Sequence, residues 1–281
     1  MVKKAIIAIV VIVVVAIVAV GAYVVLSGDN DKTDPNKVTF LIQDEEGVYF
    51  WISGSGETAL DALRDAFSDY PTGTLETSAD GINSIFGQSF DQVPVDPENP
   101  GGLQKWIWWV QFTWKDDKWS CNTVGLSSIN SKDVEYMLIL FGAGNMSDPA
   151  ATETPEGTPT PNDAKVWDGS TKGTVFQIES TSGLYFKING TGGNTLLNTL
   201  ENACEKYDVP IDVVTSSYGP FLSGLFGMTS YQDKAGEWLY WVEFEYKSDG
   251  WESSEIGMDG LKSSDNPKYA LVFGYQTTTP T

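Results

Sequence analysis

Short apolar runs separated by glycine-rich turns dominate the chain after residue 37. Val38-Thr39-Phe40-Leu41-Ile42 and Thr174-Val175-Phe176-Gln177-Ile178 read as opening strands. After each comes a Gly/Ser loop and then a helical pattern: Leu60, Leu63 and Phe67 in the first case, Leu197, Leu200 and Cys204 in the second. Thr58 and Thr195 occupy the N-cap positions, and Asp61 stands three residues after Thr58, as in a capping box. Such a helix has only about three turns and needs a sheet to pack on. A long aromatic strand follows, Trp106-Ile107-Trp108-Trp109-Val110-Gln111-Phe112-Thr113-Trp114, with a twin at Trp238-Leu239-Tyr240-Trp241-Val242-Glu243-Phe244-Glu245-Tyr246. Side chains alternate faces along a strand. The bulkier face, carrying Trp106, Trp108, Val110, Phe112 and Trp114 and their counterparts from Trp238, is expected to be the one buried on the helix. The other face places Trp109 among Ile107, Gln111 and Thr113, and Trp241 among Leu239, Glu243 and Glu245. Lys115-Asp116-Asp117-Lys118 and Lys247-Ser248-Asp249-Gly250 read as hairpin turns.

These twin patterns are one repeat. Trp106–Gly142 aligns with Trp238–Gly274 at a constant shift of 132, without a gap. Gly47-Val48-Tyr49-Phe50 matches Gly183-Leu184-Tyr185-Phe186, and Ile85-Phe86-Gly87 matches Leu225-Phe226-Gly227. Between the copies, Asn145–Asp163 carries four prolines and four threonines, an extended, semi-stiff spacer by composition. At the other end, Ala5–Leu26 holds 22 consecutive uncharged residues. As a helix they would extend about 33 Å, enough to cross a hydrocarbon core of roughly 30 Å. Lys3 and Lys4 precede this segment and Asp29, Asp31 and Asp34 follow it, which orients the N-terminus to the cytoplasm. The expected organisation is a membrane anchor over 1–27, an acidic juxtamembrane linker over 28–37, a first module over 38–144, a Thr/Pro-rich linker over 145–171, a second module over 172–275 and a Thr-rich tail over 276–281. For the leader, a retained anchor, a cleaved signal and a prepilin-like start all stand. Lys4-Ala5-Ile6-Ile7 resembles the opening of archaeal type IV pilins.

Composition removes several functions. There is no histidine, so Ser-His-Asp catalysis, His-ligated zinc and an imidazole switch are excluded. A formal net charge of −21, with Arg64 the single arginine, argues against nucleic acid as a partner. Cofactors are not expected, nor is a metal. The acidic runs Asp29, Asp31, Asp34 and Asp91, Asp96, Glu98 lack the EF-hand spacing and read as solvated surface.

The order of blocks resembles the C-terminal domain of transcobalamin and intrinsic factor and their microbial DUF4430 relatives. The blocks are Thr58-Ala59-Leu60-Asp61-Ala62-Leu63, Tyr218-Gly219-Pro220-Phe221-Leu222-Ser223-Gly224-Leu225-Phe226-Gly227 and Trp238-Leu239-Tyr240-Trp241-Val242. The resemblance implies exported, ligand-binding β-grasp-type domains. The family's V-N-G after the aromatic strand is absent, since Val110-Gln111-Phe112 and Val242-Glu243-Phe244 stand there. The expected fold class is therefore α+β: an N-terminal transmembrane helix followed by two tandem β-grasp-like modules, each a mostly antiparallel sheet with one short helix.

Trp109 and Trp241 are the candidate ligand-binding residues, as stacking platforms for a flat ligand or sugar ring; the alternative is that another element covers them. Gly54-Ser55-Gly56 and Asn189–Gly193 precede helix N-termini and read as turns. Asn145 and Asn189 head N-glycosylation sequons. Cys121 and Cys204 fall at non-equivalent repeat positions, and either join the modules in a disulfide or remain two buried thiols. Together these features describe a non-enzymatic, single-pass protein of the cell membrane with its modules outside. Its expected partners are the membrane and a small-molecule, corrinoid-like or carbohydrate ligand. The alternative is a structural or adhesive surface protein, pilin-like, that contacts other surface proteins.

Overall fold

A computed structural model describes residues 34–94, 104–145, 148, 151–167, 169–217, 219–248, 250–263, 268–275 and 277–280. The first module opens with the antiparallel pair β1 (Lys37–Gln43) and β2 (Tyr49–Ser55), followed by helix α1 (Ala59–Ala66). Three short strands come next, β3 (Leu75–Thr77), β4 (Ile82–Ile85) and β5 (Gln88–Ser89), and pair only with one another. β6 (Asp91–Pro94), β7 (Gln104–Lys115), β8 (Lys118–Cys121) and β9 (Tyr136–Ala143) complete a main sheet of order β2-β1-β9-β7-β6, with β8 on β7. β1 and β9 run parallel at its centre.

The second module has the same plan. Its strands are β10 (Thr174–Glu179), β11 (Tyr185–Gly190), β12 (Ile211–Ser216), β13 (Gly219–Leu225), β14 (Met228–Thr229), β15 (Tyr231–Gln232), β16 (Trp238–Lys247), β17 (Gly250–Ser253) and β18 (Lys268–Gly274), with helix α2 (Leu196–Tyr207) after β11. The main sheet is β11-β10-β18-β16-β15, and β12-β13-β14 form the small one. Both helices start as their caps dictate. Thr58 Oγ1 accepts from Asp61 N at 3.2 Å and donates to the Asp61 carboxylate at 2.8 Å, and Thr195 Oγ1 accepts from Asn198 N at 3.3 Å. Each helix lies directly on a strand glycine: a Cβ on Gly54 would sit 2.2 Å from Ala62 O, and one on Gly190 would sit 2.3 Å from Thr199 O. These glycines set helix-to-sheet distance rather than forming loops.

The expected fold class is corrected. Over the described residues the chain is mostly β, with 45% strand and 13% helix, an assembly of small sheets with two short α-helices and a few single 3-10 turns. Over the described residues it is not the expected pair of α+β β-grasp-like modules. Segments 75–89 and 211–229 fold into small antiparallel sheets that add strand, while the helices reach only 8 and 12 residues. No helix among the described residues is long and apolar enough to cross a membrane. The Ala5–Leu26 segment lies outside the described residues.

The aromatic strand also faces the other way from expectation. Ile107 and Trp109 join Leu60, Leu63, Phe40 and Ile42 in the core under the helix, as do Leu239 and Trp241 in the second module. Val110 and Phe112 belong to a separate cluster on the opposite face with Leu41, Trp51, Leu138 and Leu140. Trp106 and Trp238, at the strand starts, are 36% and 56% exposed. Central strands covered on both faces are apolar on both, so hydrophobicity could not say which face meets the helix. Part of the Pro/Thr-rich segment supplies the second cover. Ala164 and Val166 pack on the Trp51 cluster, and Trp119 Nε1 donates to Pro159 O at 2.9 Å.

Residues 36–281 form one compact unit, and its core runs through both modules. The junction uses equivalent residues reciprocally. Phe50 stacks on its own counterpart Phe186, with centroids 5.5 Å apart and planes 6° from parallel. Tyr49 meets Phe226 at 5.1 Å, and in the mirror contact Tyr185 meets Phe86 at 4.9 Å. Residue i touching j′ while j touches i′ is the signature of a two-fold interface, here made within one chain. Phe86 and Phe226 occupy left-handed backbone, at φ 52° and 54°, in two-residue turns completed by Gly87 and Gly227. That conformation is unfavourable for a bulky residue. Both turns keep it because it delivers the ring to the other module.

Asp44, 1% exposed, closes the junction: it accepts from Ser182 Oγ at 2.7 Å and Ser180 Oγ at 3.1 Å across it, and from Val48 N at 2.9 Å within its own turn. Phe50→Ala is expected to cost about 3 kcal/mol in urea unfolding, from lost burial and the cavity left behind. A double-mutant cycle with Phe186→Ala should return a coupling of about 1 kcal/mol. Strictly additive losses would show that the rings are buried without stacking on each other.

Candidate binding clefts

In each module the small sheet stands beside the long aromatic strand and leaves a cleft between them. The first, of about 470 Å³, has Trp109 and Gln111 of β7 on one side, Gly81 and Ile82 on another, and the loop through Val124 and Gly125 at its edge. The second, of about 750 Å³, has Trp241 and Glu243 of β16, Gly219 and Pro220, and the loop through Ile256 and Gly257. Trp109, Gln111, Val124 and Gly125 map onto Trp241, Glu243, Ile256 and Gly257 at the repeat shift of 132. The same cleft is therefore built twice. A smaller recess of about 300 Å³, lined by Tyr70, Trp167, Lys187 and Tyr207 among others, lies at the module junction. Burial, with Lys268 as second cause, lowers the Lys187 pKa there.

Trp109 and Trp241 line the clefts but are not open platforms: they are 3% and 9% exposed. Their indole N–H groups donate to Gln88 O and Met228 O, both at 2.9 Å, which ties each ring to the outer turn of its small sheet. The rings also pack on Phe141 and Phe273, with centroids 5.0 and 5.1 Å apart. Each indole thus anchors the small sheet to the main one and leaves a strip of edge toward the cleft.

The polar atoms left over are more telling. Among the described residues, Asn122 Nδ2 in the first cleft and Glu243 Oε1 in the second are buried and without a hydrogen-bond partner. Such atoms cost free energy until something satisfies them. Burial, and secondly the neighbouring Glu245, push the Glu243 carboxyl up to about 8. Glu245 has its own partner in Lys247, at 3.3 Å. The pairing of Gln111 with Glu243 was already visible in the repeat; their place at a cleft was not.

The remaining sequence candidates are scattered. Asn189 is 3% exposed, with Oδ1 accepting from Lys206 Nζ at 3.0 Å and from Tyr207 OH, and Nδ2 donating to Lys172 O at 2.8 Å. A sugar there would require breaking this network. Asn145 is exposed, and its Oδ1 accepts from Asp148 N at 3.1 Å. Cys121 and Cys204 are both free thiols, one half-buried against the Trp51 cluster and one wholly inside the common core, so no disulfide staples the modules here. Burial, with Glu201 as the lesser cause, pushes the Cys204 thiol up to about 12. Among the described residues no three acidic or thiol side chains are disposed to hold a metal ion.

No known family model and no curated protein matches the chain. The transcobalamin-like reading accordingly rests on the sequence blocks alone.

Two expectations follow from the titratable groups. Glu243 holds its proton to higher pH when folded than the ordinary 4.5, so the folded state binds more protons between about 4.5 and 8. Its contribution to stability therefore falls as pH rises through that window. Glu243→Gln should melt like the native chain at pH 4.5 and higher by roughly 3 °C or more above pH 8; equal melting at both pH values would show a solvated carboxylate. In native buffer one thiol, Cys121, should titrate with a thiol reagent, and two after denaturation.

Proposed function

We propose that this chain is a non-catalytic binding protein that holds small molecules or sugar units in two equivalent clefts. One observation carries the reading: duplication has kept a cleft at the same place in both modules, each with a buried, unpartnered polar atom at its wall. Concave sites with an apolar lining and a few polar groups are where small ligands bind. Two sites on one rigid unit would add avidity toward a ligand presented in multiple copies. A corrinoid is the ligand class suggested by the resemblance of the Thr58, Tyr218 and Trp238 blocks, and cobalamin is the first compound to try. Placement outside the cytoplasm is part of the same proposal, supported by the uncharged Ala5–Leu26 stretch between lysines and aspartates.

A second reading, contact with other surface proteins, is favoured by the exposed rings at the strand ends. Phe90 stacks on Trp106 at 4.9 Å, and Tyr231 and Trp238 are 51% and 56% exposed. Sedimentation of the purified full chain separates the two: a monomer favours ligand binding, and concentration-dependent association favours adhesion.

Cleft filling tests the first reading. A Cβ on Gly81 would approach only Gln111, at 3.9 Å, and one on Gly257 meets nothing within 4 Å. Gly81→Leu and Gly257→Leu should each abolish about half of the bound ligand in calorimetric titration against cobalamin or oligosaccharides, with little change in melting temperature. Undiminished stoichiometry in the double variant would place any binding elsewhere.

A further inference from the structure

The two clefts share a plan and differ in charge. In the second, the charged lining residues are Glu243 and Asp259, with no lysine or arginine. In the first, Asp80 is the charged lining residue, and neutral Gln111 stands where Glu243 would. Glu243 Oε1 has no hydrogen-bond partner, and no ion pair among the described residues includes Glu243. A carboxyl group taken from water without donor or counter-ion is poorly compensated. An incoming positive charge would meet that deficit.

The surroundings narrow the kind of cation. A metal ion would need several oxygen ligands, and no such cluster exists among the described residues. Apart from Ser216 and the glycines, the rest of the second cleft's lining is apolar or aromatic, with Leu222, Trp241 and Met258 among it. Phe221 and Ile256 at its lining are 48% and 56% exposed, unusually high for large apolar side chains. A carboxylate beside an apolar lining suits an organic ammonium, whose charge meets the carboxylate while its apolar body lies along the lining. The net charge of −21 raises the local concentration of any cation.

The geometry points to the second-module cleft as a site for a small organic cation, an alkylammonium head on an apolar body, with the charge against Glu243 and the body on Trp241 and Phe221. This rests on the reading of the clefts as small-molecule sites and adds a charge class to one of them. The first cleft, with Gln111 in the place of Glu243, the unpartnered Asn122 Nδ2 donor and Asp80 as its charged lining residue, is then the less acidic member of the pair.

Benzyltrimethylammonium and its uncharged analogue benzyl alcohol test this on the full chain, by NMR titration and tryptophan fluorescence. At pH 9, where the raised Glu243 carboxyl is ionised, the native protein should bind the cation at least tenfold more tightly than the alcohol, with one cation per chain. Glu243→Gln, which copies the twin's own residue, should weaken the cation about tenfold and leave the alcohol unchanged. Gln111→Glu should raise the cation stoichiometry from one to two. The assignment is overturned if Glu243→Gln binds the cation as the native chain does, or if Gln111→Glu gains no site. Binding of both probes with equal affinity, blocked by Gly81→Leu and Gly257→Leu, would remove the cation assignment and keep the clefts. Failure of both probes to bind at all would remove both.

Discussion

The stack of Phe50 on Phe186 is the contact on which the rest of the molecule depends. Neither module could present its β1–β2 or β10–β11 hairpin to water without exposing Phe50, Phe186 and the rings around them, and a module of about a hundred residues has little stability to spare. Pairing the hairpins about a two-fold axis buries both exposed sides at once. The pairing also determines the turns. Phe86 and Phe226 hold backbone conformations that a bulky side chain ordinarily avoids, and their rings reach across to Tyr185 and Tyr49. Those turns connect the strands of the small sheets, and the small sheets form the walls of the clefts. A chain of contacts therefore runs from the central stack through Phe86 and Phe226 to the places where a ligand would sit.

Acid groups inside this frame work against stability at neutral pH. Asp44 accepts four hydrogen bonds, yet burial outweighs them and holds its carboxyl above the ordinary range. Burial raises Glu46 beside it in the same direction. Glu243 is the extreme case and has the fewest compensating contacts. The two sites differ in what the buried acid does. Asp44 knits the modules together through Ser180 and Ser182, so part of its desolvation is offset by a specific junction. No comparable structural contact engages the free oxygen of Glu243, which is why it reads as a binding group and Asp44 does not.

The repeat, the opening strands, both N-caps and the aromatic ribbons were legible in the amino-acid sequence, because each depends on local spacing: Thr58 three residues before Asp61, or Trp106 through Trp114 in alternation. Composition alone excluded histidine chemistry. The sequence also equated Gln111 with Glu243, the difference on which the charge of the clefts turns. Only tertiary structure decided which face of the aromatic strand meets the helix, since Val110 and Trp109 are equally apolar and both faces are covered. It decided that residues 159–167 lie on the first sheet, because a Pro/Thr-rich composition forbids a core of its own but not docking onto another. It decided that Trp109 and Trp241 fasten the small sheets by their indole N–H groups, that Asn189 is buried, and that the two modules share one core. Each of these is a contact between residues distant along the chain, and local periodicity carries no information about which distant surface a face will find.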